Sequence, residues 1–291
     1  MPTTDFWSPF YWQTRFSTEN NFEWLVPSPT LIPRVHGILL SLPSSSTSLA
    51  QGVGQKGDGQ EDEPKVTILH VGCGSSTLGI QLQAYLDGQP QSQSHAGGRR
   101  VYQVYDADYV KPPASIMSAE EERKVPFKLV DLLSTESLLS NLPHQEGPIP
   151  SDDTAKAIEE VQKWDFILDK STCDAISTGP QLSPPPFSVS PPPFSAGQIE
   201  QAPADPVERM VFNLSKVVKK GGKWVSVSYS PIRYDFLSDI GNDDSYGWKV
   251  VRKEMVAMTS IPEGRRVQDG DQERIVYEPE TGVWMYVLER V

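Results

Sequence analysis

Residues 66–79, VTILHVGCGSSTLG, constrain the fold of this chain more than any other stretch. Val66 to Val71 is a run of β-branched and apolar residues, the composition of a strand buried on both faces of a parallel sheet. It breaks at Gly72-Cys73-Gly74, and an apolar-periodic helix follows through Leu78, Ile80, Leu82, Tyr85 and Leu86. Strand, tight glycine turn and helix form the unit with which an α/β sheet brings bare backbone to a nucleotide-like ligand. A Cβ at Gly72 or Gly74 would hold such a ligand off the main chain. Thr77 stands where a third glycine would complete a dinucleotide fingerprint. The loop therefore suits adenosine joined to something smaller than a pyrophosphate.

Three further segments follow in order. VYQVYDADYV (101–110) reads as a second apolar strand ending in Asp106. An acidic residue at the end of the second strand accepts the ribose hydroxyls in nucleotide-binding α/β folds. The alternative is that Asp106 or Asp108 caps the next turn; Asp106 is favoured because it follows the strand directly. VPFKLVDLLS (125–134) reads as a short strand ending at Asp131-Leu132. A carboxylate there can accept from an adenine amino group while the neighbouring amide meets the ring, or it can cap the helix that follows. KWDFILDKSTCDAI (163–176) supplies a fourth strand, with Asp169 and Lys170 at its carboxyl end, the edge that lines the ligand crevice of open α/β sheets.

With these residues in place the chain resembles the class I, seven-stranded S-adenosylmethionine-dependent methyltransferases. More narrowly, it resembles the eukaryotic group that methylates lysines of translation elongation factor 1-alpha, which includes endothelin-converting-enzyme-linked and dual-domain members. The marks are FYWQTRF (10–16), NFEWL (21–25), HVGCGSS (70–76), YDADYV (105–110), LVDLL (129–133), DFILDKSTCDAI (165–176), KGGKWVSVSYS (220–230), SYGWKVVR (245–252) and VWMYVLERV (283–291). Ser171 and Cys173 depart from the Gly and Leu of the family's V-L-D-K-G-T-L-D-A.

The resemblance implies a Rossmann-like α/β fold: a seven-stranded sheet of order 3-2-1-4-5-7-6, last strand antiparallel, with helices on both faces. It implies S-adenosyl-L-methionine as cofactor, S-adenosyl-L-homocysteine as product, and contacts to them from Trp12, Phe16, Trp24, Gly72, Gly74, Asp106, Ala107, Asp131, Leu132 and Lys170. Arg15 could reach the cofactor's carboxylate or make an ordinary salt bridge. Aromatic faces suit a cationic sulfonium, and the crowd of Phe6, Trp7, Phe10, Tyr11, Trp12, Phe16, Phe22 and Trp24 must be buried against something. The whole chain, 1–291, is expected to form one methyltransferase domain with an aromatic lid segment at 1–25.

The remaining features bound the function. The two cysteines, Cys73 and Cys173, lie inside motifs and suggest reduced thiols. The four histidines have no metal-ligand spacing, and no metal is expected. Against 38 acidic residues stand 26 basic ones, a net charge of −12, which disfavours nucleic acid and suits a basic protein partner. Neither a membrane-spanning run nor a secretory signal is evident, so a cytoplasmic monomer is expected. Residues 41–64, 86–99 and 178–204 read as disordered insertions, the last with SPPPFS twice.

Downstream, Asp205, Pro206 and Glu208 open a helix that Gly221 should stop, and strands follow at Lys223–Tyr229, about Gly247–Lys253 and Val283–Glu289. No enzyme nucleophile is expected for methyl transfer; Tyr11, Tyr229 and Asp174 are candidates for the acceptor side. Protein-lysine methylation is the leading expectation. Methylation of a small thiol or amine, or a non-catalytic cofactor-binding partner protein, are the alternatives.

Overall fold

The structure, a computed structural model, describes residues 5–19, 21–43, 65–89, 100–116, 125–143, 163–183, 202–239, 246–259, 265–269, 272–276 and 281–291. Its centre is a seven-stranded sheet. The strands are β1 (Lys65–Val71), β2 (Val101–Asp108), β3 (Phe127–Leu129), β4 (Trp164–Lys170), β5 (Val218–Ser228), β6 (Trp248–Thr259) and β9 (Thr281–Arg290), in the order β3-β2-β1-β4-β5-β9-β6. A separate hairpin, β7 (Arg265–Asp269) with β8 (Gln272–Val276), lies between β6 and β9 in the chain. Counted without the hairpin, the sheet order is 3-2-1-4-5-7-6, and its last strand runs antiparallel to both neighbours. This is the order and strand direction that the sequence resemblance implies.

Side chains alternate between two cores, as a period of two requires in strands buried on both faces. Ile68, Phe166, Val225 and Val287 face one core, shared with α2 (Ser28–Leu40) and α3 (Leu78–Asp87) through Leu31, Val35, Leu39, Leu78 and Leu82. Their neighbours Leu69, Ile167, Trp224 and Leu288 face the other, shared with α6 (Pro206–Val217) through Met210, Val211 and Leu214. Helices thus cover both faces. Shorter helices complete the fold: α1 (Pro9–Phe16), α4 (Thr135–Leu139), α5 (Thr172–Ile176) and α7 (Phe236–Asp239).

Asp205 caps α6 by accepting from the backbone N–H groups of Val207 and Glu208 at 2.8 and 3.1 Å, but Glu208 binds the Tyr246 hydroxyl. The helix ends at Val217, before Gly221, because β5 begins at Val218 and carries the glycine pair inside it. A Cβ at Gly222 would meet Val218 Cγ1 at 2.7 Å and the Asp165 carbonyl at 3.0 Å.

The edges of the three expected insertions fall within the described residues. Leu86 belongs to α3 and is buried, because it completes that helix's apolar face. Leu42 is buried just past α2, and Leu182 bonds Ala204 across the base of the third segment. The rest of these segments lies outside the described residues. Among the described residues no helix is long and apolar enough to cross a membrane.

The sheet reverses direction of winding at β1, flanked by β2 on one side and β4 on the other. The crevice at the carboxyl ends of those strands is where an open α/β sheet holds its ligand.

Candidate functional site

A pocket of about 310 Å³ opens at that edge, within the range of small-molecule sites. The glycine loop forms its floor. Gly72 and Gly74 hold φ of +61° and +54°, the left-handed region where only glycine is unstrained. Neighbouring side chains already fill the space beside them. A Cβ at Gly72 would fall 2.0 Å from Thr172 Oγ1, and one at Gly74 would fall 3.2 Å from Phe16 Cζ. Thr172, which opens α5, donates to the Val71 carbonyl at 3.0 Å and so fixes the β4 turn against the loop. Sequence alone points to ligand approach; the structure adds that the fold itself needs both glycines.

The end of β2 forms the second wall. The backbone N–H of Cys73 donates to the Ala107 carbonyl at 3.1 Å, and that of Gly74 to Asp108 Oδ2 at 3.0 Å. Asp108 also accepts from the Val110 backbone at 3.0 Å and lines the pocket with Ala107 and Tyr109. Burial pushes its carboxyl up to about 6, against the pull of the backbone donors at Val110, Gly74 and Tyr109 and of nearby His70.

Asp106 is a correction. It is fully buried, does not line the pocket, and binds His70 Nδ1 through Oδ1 at 2.6 Å. A Cβ at Gly79 would lie 2.1 Å from that same oxygen. Asp106 therefore packs β2 against α3, and the acidic residue of β2 that lines the pocket is Asp108. The strand runs two residues further than the sequence reading placed its end, which moves the site acid with it.

Asp131 is exposed and lines the pocket beside Val130, Leu132 and Leu133. Its Oδ1 accepts the Leu133 backbone N–H at 2.9 Å. The cap of α4 is Ser134, whose hydroxyl accepts from Ser137, so the capping alternative for Asp131 is set aside. Leu132 has its side chain in the core and its carbonyl bonded to Asn213 Nδ2 at 3.0 Å.

From β4, buried Lys170 lines the pocket and pairs with Glu23; burial lowers its pKa, against the attraction of that carboxylate. Ser171 follows in the left-handed region, φ +72°, where the resembling family has glycine. Asp174, on α5, also lines the pocket. It accepts from Ser228 Oγ at 2.5 Å, Arg233 Nη2 at 2.7 Å, the Tyr229 backbone at 3.1 Å and Ser171 Oγ at 3.4 Å. A carboxylate so occupied fixes the backbone at Tyr229 beside the pocket. Tyr229 lines the pocket and is 44% exposed.

The N-terminal segment adds an aromatic wall to the pocket. Phe6, Trp7, Trp12, Phe16 and Trp24 all line it. Trp12 meets Phe16 at a ring distance of 5.7 Å and Trp24 at 6.1 Å, and its Nε1 donates to the Phe6 carbonyl at 2.6 Å. Arg15 is a second correction. Its guanidinium does not line the pocket; it lies 4.8 Å over the Trp24 ring and 4.9 Å over Phe22, with Nε on Glu19 at 2.6 Å. It takes the salt-bridge alternative because Glu19 is one helical turn away. Tyr11 does not line the pocket either; its hydroxyl accepts from Arg15 at 3.0 Å.

Two residues not among the expected site residues, Glu23 within the NFEWL motif and Glu19 just before it, tie these walls together: Glu19 accepts from Ser75, and Glu23 from Ser76 and Lys170. The signal available was the pair of acids beside the aromatic motifs, facing the Ser75-Ser76 step of the glycine loop.

Among known proteins, the methyltransferase srdJ of Neurospora crassa is 27% identical over 234 residues, 80% of this chain and 71% of that protein. Solved structures with similar chain paths include magnesium protoporphyrin IX methyltransferase from Synechocystis with bound S-adenosylmethionine, at 12% identity and TM-score 0.42, covering 97% of this chain and 91% of that one. Another is the N-methyltransferase NodS from Bradyrhizobium japonicum with S-adenosylhomocysteine, at 12% identity and TM-score 0.40, covering 96% and 98%. No family model matches the chain.

Proposed function

We propose that this chain is an S-adenosylmethionine-dependent methyltransferase whose acceptor is a lysine ε-amine on a folded protein, with elongation factor 1-alpha as the first candidate. One observation carries the methyltransferase reading: the ends of β1, β2, β3 and β4 and the N-terminal aromatics meet in one pocket at the switch point of the sheet. Those residues fit the cofactor. Asp108 would hold the ribose, Asp131 and the apolar wall around Leu132 the adenine, and Trp12, Phe16 and Trp24 would face the sulfonium. The similarity to the methyltransferase srdJ supports the same class. When bound, the cofactor supplies an electrophilic methyl group.

The chain's own contribution is alignment and exclusion of water. A lysine amine has a reference pKa of about 10.4 and must lose its proton before it attacks. The apolar lining lowers that pKa by making the charged form costly. Tyr229, held by Asp174, borders the pocket where the acceptor would enter. The protein-lysine assignment is supported by the FYWQTRF, FEW and DKSTCDA segments, and the net charge of −12 suits a basic partner surface. In this reading the enzyme is a cytoplasmic monomer that needs neither metal nor nucleic acid.

A second reading, a small-molecule acceptor, is favoured by the aromatic wall that Phe6, Trp7, Trp12 and Trp24 give the pocket. Incubation with isotope-labelled cofactor and an extract of cells lacking the protein separates the two. Label on protein lysines supports the first, and label confined to small molecules supports the second. An extract with no label in either fraction sinks the methyltransferase reading.

A further inference from the structure

Lys170 is buried at the end of β4, its side chain 2% exposed. A buried ammonium is costly unless paired. Among the described residues its ammonium meets two groups just before α2: Glu23 Oε2 and, at 3.5 Å, the Val26 carbonyl. Glu23 reaches further with the same carboxylate. It accepts the Ser28 hydroxyl at 2.9 Å and the Ser76 hydroxyl at 3.3 Å. One side chain therefore links the start of α2, the glycine loop and the end of β4.

Between Glu23 and Val26 the backbone is strained. Leu25 has φ +62°, a conformation that a branched L side chain rarely adopts, and the Val26 N–H donates back to the Trp24 carbonyl at 2.7 Å. Lys170 grips both ends of this tight turn. Such strain persists only where the surroundings hold it, and it clusters at ligand clamps. The turn carries Trp24, and Trp24, Ser76 and Lys170 all line the pocket. The segment cannot lift without opening the pocket.

We infer that Lys170 and Glu23 are positioning residues that latch the N-terminal segment shut over the pocket, so that a bound cofactor escapes only when this pair parts. The second half of that statement rests on the cofactor reading above; the first half does not. A purely structural pair would set stability and leave ligand exchange alone, whereas a latch sets the rate of escape.

The test uses the full chain with Lys170→Met, which removes the charge without leaving it buried and unpaired, and Lys170→Arg, which keeps it. Hydrogen exchange without ligand should be faster at the amides of residues 9–26 in Lys170→Met, close to wild type in Lys170→Arg, and unchanged in β1 and β5 in both. Dissociation of S-adenosylhomocysteine, followed by tryptophan fluorescence, should be roughly 10–100-fold faster in Lys170→Met, the change expected from a lost hydrogen bond to a charged group. Unchanged exchange at 9–26 overturns the latch. Faster exchange with an unchanged dissociation rate overturns its control of the ligand. If wild type binds no S-adenosylhomocysteine, the cofactor reading fails, and the exchange data alone decide whether the segment is latched.

Discussion

Asp108 Oδ2 accepts the backbone N–H of Gly74 at 3.0 Å, so the last residue of the second strand and the glycine loop form one continuous rim. A ligand that needs both bare backbone and a carboxylate finds them side by side there. Asp106, two residues earlier, has its Oδ1 on His70 and sits against Gly79, away from the pocket.

The two acids should therefore separate by experiment. Asp108→Asn should weaken S-adenosylhomocysteine binding by roughly 10–100-fold, since hydrogen bonds to a charged group contribute about 1.5–3 kcal/mol. Asp106→Asn should leave affinity nearly intact and lower the melting temperature instead, because it disturbs a buried pair. Calorimetry and thermal unfolding of both variants check this. Equal affinity loss in the two would return Asp106 to the site.

A pH dependence follows from the same carboxyl. Burial raises Asp108 to about 6, so between its unfolded value and pH 6 the folded state holds the extra proton. By linkage this group makes the protein less stable as pH rises through that window, and its effect is constant above it. Ligand binding runs the other way, because ribose hydroxyls need the ionised form to accept them. Affinity for S-adenosylhomocysteine should fall as pH drops below 6, and binding near pH 6 should release a proton. Titrations in buffers of different ionisation enthalpy measure that proton directly; no release would remove Asp108 from the contact.

Gly74→Ala should cost about 1–2 kcal/mol from the left-handed backbone alone. Its Cβ also meets Phe16 Cζ at 3.2 Å, so the aromatic wall must shift and affinity should fall with stability. Urea unfolding and calorimetry together read both effects. A stable variant with normal affinity would contradict the packing described for Phe16.

Ser171 pays the same backbone penalty without glycine's exemption. Ser171→Gly should stabilise the fold by about 1 kcal/mol, a rise in Tm of roughly 2–4 °C for a chain of this size. Its hydroxyl contact to Asp174 is long, 3.4 Å, so little is lost in exchange. A lower Tm would mean that the hydroxyl contributes more than its geometry implies.

Much of the sheet was legible in the sequence, because parallel strands buried on both faces must be unbroken apolar runs. β1, β2 and β4 come close to this, interrupted by Thr67, His70, Gln103 and Asp165 and ending in polar residues at the ligand edge for β2 and β4, and the strand order came from the family resemblance rather than from periodicity. The site acid was harder. Asp106 and Asp108 share a side of the strand, so alternation cannot separate them; His70 and Gly79, which claim Asp106, become its neighbours only in the folded sheet. Glu23 stands inside the NFEWL motif, but its pairing is not legible there, since its partner Lys170 lies 147 residues away. The β7–β8 hairpin also escaped the reading, although Asp269-Gly270 is a hairpin turn signal.

The measurement that tests the central claim most directly is equilibrium dialysis of the full chain against labelled S-adenosylmethionine, with Asp108→Asn and Trp24→Ala alongside. The account predicts one cofactor bound per chain, with markedly weaker binding in both variants. Absence of binding to the wild-type chain, or binding that both substitutions leave untouched, would contradict it.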